Sequence, residues 1–213
     1  MLSQIENLKV TFDHFSLDIP QWELSDHGIT CLMGESGAGK STVLNVLSGL
    51  ILCKPMSWIV DGVDIQTLAQ KNKRLGVVFQ SLDVFPHMTA RQNICFLARA
   101  RGCSKLQANQ QCEELGDFLG INHRLDANCL TLSGGERQRV ALASAVIGGP
   151  RYLLLDEPFS ALDENNRAAA RRLLKELVGK HNIPTLLVTH SQEDQRELAD
   201  STFYIKKGKL VGV

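Results

Sequence analysis

Gly34-Glu35-Ser36-Gly37-Ala38-Gly39-Lys40-Ser41 decides how this chain is read. It matches the phosphate-cradling pattern Gly-x-x-x-x-Gly-Lys-Ser/Thr at every fixed position. The pattern is short, so its flanks carry the decision. Upstream, Gly28-Ile29-Thr30-Cys31-Leu32-Met33 is a short apolar run of strand type, and downstream apolar residues at 43, 44, 46, 47 and 50 suit a buried helix. Glycines at 34, 37 and 39 let the backbone approach a ligand closely. The loop amides then converge on phosphate oxygens at the positive end of the following helix. Lys40 is expected to reach the β- and γ-phosphates and the Ser41 hydroxyl a Mg²⁺ ion. Glu35, Ser36, Ala38 and Thr42 complete the predicted cradle. A Gly-rich turn beside an ordinary surface lysine would leave the flanks unexplained.

Bulk properties narrow the class. A chain of 213 residues is long enough to bury a large core as one domain. Basic and acidic residues balance at 23 each, which gives no general attraction to nucleic acid, and no nucleic-acid partner is expected. The cysteines at 31, 53, 95, 103, 112 and 129 form no Cys-x-x-Cys pair and read as buried free thiols of a reducing compartment. The polar opening Met1-Leu2-Ser3-Gln4-Ile5-Glu6 does not resemble a signal peptide. No apolar run approaches the roughly 18–20 residues that a spanning helix needs. A soluble protein is expected, attached to a membrane only through partners.

The remaining pattern alternates strand and helix. Residues 5–19 suggest two short strands, with Pro20-Gln21 and Ser25-Asp26-His27-Gly28 as punctuation. Strands are expected at 58–60, with a turn at Asp61-Gly62, and at 74–80. From 89 to about 148 helical spacing takes over through Ile94, Phe96, Leu97, Leu106, Leu115, Phe118 and Leu119, with Gly102, Gly116 and Gly120 at ends or weak points. Strand and helix then resume, with strands at 152–155 and 184–189. A helix at 164–180 should keep Arg171, Arg172, Lys175 and Lys180 on its wet side. A short acidic helix at 191–199 precedes edge strands at 202–206 and 209–213. The predicted fold is α/β: a mostly parallel sheet core (1–81 and 149–213) with an antiparallel β edge and an inserted helical subdomain (about 82–148), all one domain.

Two further stretches carry chemistry. Tyr152-Leu153-Leu154-Leu155 ends in Asp156-Glu157, and such a strand end points carboxylates at the nucleotide. Asp156 suits the Mg²⁺ shell, and Glu157 suits a base that orients water. Leu132-Ser133-Gly134-Gly135-Glu136-Arg137-Gln138-Arg139 is a second anion-binding device at a helix start. A plain N-cap explains the helix start but not the presence of a second cradle.

With these residues in place, the chain resembles the ATP-binding subunit of an ABC (ATP-binding cassette) transporter, a P-loop NTPase, over essentially its whole length. Residues 34–41 resemble the family's Walker A loop, Gln80 its Q-loop glutamine, residues 132–138 its signature and 153–157 its Walker B strand. Residues 160–163 are similar to the D-loop, and His190 stands where the switch histidine belongs. The resemblance implies a homodimer, with each ATP held between one subunit's Walker A and the other's Ser133, Gly134 and Gly135. Lys40 and the loop amides would hold the phosphates, with Asp163 beside the nucleotide. Ser41, Asp156 and Gln80 would hold Mg²⁺. Glu157 would act as the base, and His190 and Gln80 would complete the catalytic set. Phe12 stands at the family's adenine-stacking position, with Phe15 and Trp22 as alternatives. Departures are Met56-Ser57-Trp58 in place of a glycine, and Ala143-Ser144-Ala145 without the usual arginine.

Phe85-Pro86-His87-Met88-Thr89 resembles the Q-loop flank of bacterial importers of small solutes. This implies transmembrane permease subunits, gripped with help from Val84, Phe85 and Met88, and a solute-binding protein. It places the protein on the cytoplasmic face of the membrane. With the sequence stopping at Val213, the regulatory C-terminal domain that many such importers carry is not expected. An exporter or lipoprotein-release type ATPase and a non-transport cassette are the alternatives. A P-loop kinase would have no use for residues 132–138.

Overall fold

The computed structural model describes residues 2–82 and 84–211. Strands β1 (Leu2–Thr11), β2 (Ser16–Ser25) and β3 (Ile29–Met33) lead into helix α1 (Lys40–Ser48). Strands β4 (Ser57–Val60) and β5 (Val63–Asp64), helix α2 (Gln70–Lys73) and strand β6 (Leu75–Val78) follow. Next come α3 (Ala90–Ala100), α4 (Lys105–Phe118) and α5 (Gly134–Val146). The described residues form no strand between Val78 and β7 (Tyr152–Asp156). Helix α6 (Glu164–His181), β8 (Thr185–Thr189), α7 (Gln192–Leu198), β9 (Ser201–Lys206) and β10 (Lys209–Val211) close the described chain.

Two sheets result. The six-stranded sheet has the order β10-β9-β3-β8-β7-β6 and is parallel from β9 to β6, with β10 antiparallel at one edge. Strands β7 and β8 are buried at every residue. Both faces of a parallel sheet are covered, so these strands read as continuous apolar runs. Cys31, Leu153, Leu155 and Leu187 pack with the helices between β6 and α6. Leu32, Leu154, Leu186 and Val188 pack instead with α1 and the antiparallel sheet β2-β1-β4-β5. Each leucine so buried contributes about 1.5–3 kcal/mol of transfer free energy.

Several local expectations are corrected. Strand β2 runs through Pro20, because β2 is the edge of its sheet and a missing N–H there breaks no ladder. Strand β9 is interior, since β10 lies outside it. The predicted 209–213 strand is described to Val211, and its last two residues lie outside the described residues. Leu106 and Phe96 are 78 and 48 % exposed, so apolar spacing overstated the buried faces of α4 and α3, and Leu50, 65 % exposed, lies beyond the C-cap Gly49 that ends α1. Arg171 is 2 % exposed and not on the wet side of α6, while Arg172, Lys175 and Lys180 are exposed as expected. All six cysteines are free, with Cys31, Cys112 and Cys129 buried.

Candidate functional site

The sheet order assembles one edge. Met33, the last residue of β3, lies opposite Thr189 of β8, and Val188 lies opposite Asp156 of β7. Val78 of β6 lies opposite Leu155. The carboxyl ends of four neighbouring strands therefore present the 34–39 loop, His190, Asp156-Glu157 and Gln80 together, where ligands bind in sheets of this kind.

The loop is built to leave amides unused. Gly39 caps α1 in the left-handed region (φ 108), with no side-chain cap bond. Its backbone conformation favours glycine, and a Cβ there would lie 2.6 Å from the tip of the half-buried Phe15 ring, which would have to shift. Lys40 is 7 % exposed, and its Nζ donates to the carbonyls of Gly34 (2.9 Å) and Glu35 (3.0 Å). The Gly208 amide braces the loop from outside by donating to the Ala38 carbonyl at 3.0 Å, while the Gly208 carbonyl accepts from Asp18 at 2.8 Å. Among the three candidate aromatics, Phe12 is 44 % exposed and stacks on Phe15 (6.3 Å between centroids, 29° between planes). Trp22 is buried, which removes it as a stacking surface.

Asp156 is 7 % exposed, and its Oδ1 is buried without a hydrogen-bond partner. Burial pushes its carboxyl above the usual range; the Glu157 charge adds to this, while a hydrogen bond from Ser41 and the charge of Lys40 pull the other way. A buried orphan carboxylate oxygen beside a serine hydroxyl suits Mg²⁺, which takes one or two protein oxygens and completes its shell with phosphate and water.

Glu157 stands in the left-handed region (φ 45), a strained conformation for a residue with a side chain. Its amide donates to Val188 O at 2.9 Å and its carbonyl accepts from Ser160 at 3.1 Å, which hold the conformation. His190 Nδ1 lies 2.8 Å from Glu157 Oε1. A carboxylate only accepts, so the bond requires the proton on Nδ1. Glu157, Ser160, Arg167 and His190 share a cavity of about 90 Å³.

The second cradle sits elsewhere. Ser133 caps α5 in a capping box: its Oγ accepts from the Glu136 amide (3.2 Å), and its own amide donates to Glu136 Oε2 (2.8 Å). That amide holds the Glu136 carboxyl below the usual range. Arg124 pairs with the other Glu136 oxygen at 3.1 Å. Gly134 shares a cavity of about 420 Å³ with Gln80 and Ala161, and no residue of 34–42 lines it. A Cβ at Gly134 or Gly135 would meet nothing within 4 Å. Asp163 caps α6 through the Asn166 amide (3.1 Å) and side chain (2.6 Å). The structure thus brings Lys40, Ser41, Asp156, Glu157 and His190 together and leaves Ser133, Gly134 and Gly135 apart from the phosphate loop. Sequence reading missed Gly208 and the network around Arg171. Phe15, an alternative adenine-stacking residue, packs instead against Gly39 of the loop.

A doubly covered parallel sheet with this loop at its carboxyl edge defines an ATP-binding α/β domain. Residues 17–160 match the family described as ABC transporter, and the chain belongs to that family. It is 38 % identical over 201 residues to the sulfate/thiosulfate import ATP-binding protein CysA of Nocardia farcinica, covering 93 % of this chain and 58 % of that protein. The probable sulfate/thiosulfate import ATP-binding protein CysA of Chlorella vulgaris is 37 % identical, with 98 % of this chain and 89 % of that protein covered. The Fe(3+) ions import ATP-binding protein FbpC of Photorhabdus laumondii is 35 % identical, with 94 and 56 % covered. The chain spans a little under two thirds of the length of most of these curated relatives.

Proposed function

We propose that this chain is the ATP-hydrolysing subunit of an importer for a small solute, acting as a homodimer on transmembrane permease subunits that receive cargo from a solute-binding protein. The convergence of Lys40, Ser41, Asp156, Glu157 and His190 at one sheet edge carries the reading. When bound, ATP supplies the phosphoanhydride bond and Mg²⁺ the charge that offsets its oxygens. Lys40 leaves the two loop carbonyls to hold phosphate, together with the uncapped amides of α1. Ser41 and Asp156 hold the cation, with Gln80 reaching in from the end of β6. Phe12 stacks on the base, Glu157 orients water and takes its proton, and His190 releases Glu157 to donate toward the developing charge.

The dimer reading draws on the open space at Gly134 and Gly135. Neither packing nor a positive φ within the chain requires glycine there, so close approach of another molecule explains both. In the dimer, Ser133–Gly135 and Asp163 of one copy complete the site of the other. The α3 face, where His87, Met88, Phe96 and Arg99 line a cavity of about 860 Å³ with Phe85 packed on Phe96, suits a short helix of the permease. No helix among the described residues is long and apolar enough to cross a membrane, and the reading gives the span to the permease. The α3–α5 segment is then a subdomain (about 82–148) set into the 1–81 and 149–213 core. Specific ATPase activity should rise with protein concentration and then saturate. A rate strictly proportional to concentration, from dilute samples upward, would remove the composite site.

A further inference from the structure

The Arg171 guanidinium is buried inside the protein, where a side chain of this charge is rarely left without a specific task. Four carboxylates surround it. Nε donates to Asp194 Oδ1 at 2.7 Å and one terminal nitrogen to Glu193 at 3.1 Å, while the other lies 3.7 Å from Glu164 and 3.6 Å from Glu197. Glu164, Glu193 and Glu197 are substantially exposed and have water as an alternative partner. Asp194 is buried, so it depends on Arg171.

Asp194 passes that constraint on. Its Oδ2 accepts from Thr189 Oγ1 at 2.7 Å, and Thr189 Oγ1 accepts from the Ser191 amide at 3.0 Å. The Asp194 amide donates back to Ser191 Oγ at 3.2 Å. Both neighbours of His190 are therefore pinned to Asp194, Thr189 through the carboxylate and Ser191 through the Asp194 amide and the Thr189 hydroxyl, while the His190 side chain itself is 65 % exposed. At its other end, Arg171 reaches Glu164, the residue after Asp163, at the start of α6. One planar fork thus ties the loop that ends at Asp163 to the turn that carries His190.

We propose that Arg171 is a positioning residue for ATP hydrolysis, holding His190 in register with Glu157 and with the 160–163 loop through Asp194 and Thr189. This rests on the functional reading above, in which His190 acts on the nucleotide. The demand is geometric: a five-donor planar fork can hold Asp194 and span both helices, whereas a point charge cannot do both. Thr189 matters through its hydroxyl, since valine fills the same strand position without it.

The test compares R171K, T189V and H190A singly and R171K/H190A together, by steady-state kinetics and nucleotide affinity on the full chain. R171K and T189V should each lower kcat about 10- to 100-fold, the scale of a misplaced catalytic group, with KM and ATP affinity within about twofold. In the H190A background R171K should remove less than about threefold more, because the group it positions is already gone. An undiminished loss in that background, or a loss in KM with kcat intact, overturns the proposal in favour of a purely structural arginine. Normal turnover in R171K and T189V beside an impaired H190A defeats the inference and spares the functional reading. Normal turnover in H190A defeats the reading itself. T189V keeps the comparison valid should R171K fold poorly.

Discussion

The starts of α1 and α5 are both glycine-bearing helix N-termini, and the fold finishes them in opposite ways. The start of α1 is bare: Gly39 offers no side-chain cap, and Lys40 lies folded back on loop carbonyls. The start of α5 is closed by its own Ser133 and Glu136. Glycine is favoured at 39 for reasons inside the chain, φ 108 and the Phe15 ring, whereas at 134 and 135 nothing inside the chain asks for it. The glycine at the start of α1 is accounted for within the chain, whereas those at the start of α5 meet no constraint there, which is what the dimer proposed above draws on.

The comparison can be broken in five places. The largest effect belongs to the chemistry beside the bare start. E157Q should bind ATP, lose at least about 10²- to 10³-fold in turnover, the scale of a lost preorganised group, and accumulate as a dimer by light scattering. Near-normal turnover would take Glu157 out of its role. Next come the glycines. G39A should lose both nucleotide binding and thermal stability, since its Cβ must displace the Phe15 ring and its φ is disfavoured. G135A should melt no lower, because alanine favours a helix over glycine by about 0.5–1 kcal/mol, yet should turn over at least about tenfold more slowly. Should G135A lose stability in step with activity, the two starts are not different in kind.

Smaller effects concern charge. E136A should cost about 1 kcal/mol in a denaturant melt, the scale of a lost cap. Because the folded Glu136 carboxyl lies below its ordinary value, its contribution is present above about pH 4.3 and fades as pH falls through the lowered value. The gap between wild type and E136A should narrow in acid. Asp156 runs the other way. Its carboxyl is raised by burial, so the folded state favours the proton, and ionisation destabilises the protein as pH climbs from about 3.9 through the raised value. Nucleotide-free D156N should out-melt wild type by a margin that opens over that window and then stays constant. A constant or closing gap would place Asp156 in a better-solvated site than the structure shows.

The elements legible in the sequence were those fixed by local chemistry. A strand, a glycine loop and a helix in succession gave β3 and α1, and the apolar runs before Asp156 and His190 gave β7 and β8. Their meeting at one edge followed from the parallel-sheet rule. What stayed hidden depends on partners far along the chain. Arg171 stands three and seven residues before the buried Leu174 and Val178, on the inner stripe of α6, but a charge there reads as wet until the acids of α7 are seen to pair with it. Pro20 reads as a break until β2 proves to be an edge. Leu106 follows apolar spacing but faces outward, because spacing reports periodicity and not which side the neighbours occupy, and Leu50 falls past the Gly49 cap that ends α1. The left-handed backbone of Glu157 has no signature of its own, being held by Val188 and Ser160.

The brace from Gly208 to Ala38 has a consequence for how the protein is made. The loop at 34–41 leaves the ribosome early, but the amide that steadies it belongs to the turn between β9 and β10, among the last residues described. A Cβ at Gly208 would strike the Ser16 carbonyl, so this turn fits between hairpin and loop only as glycine. A nascent chain therefore carries an unbraced phosphate loop until the turn at Gly208 has been made. The phosphate loop is thus steadied by a contact far along the chain, made once β9 and β10 have paired.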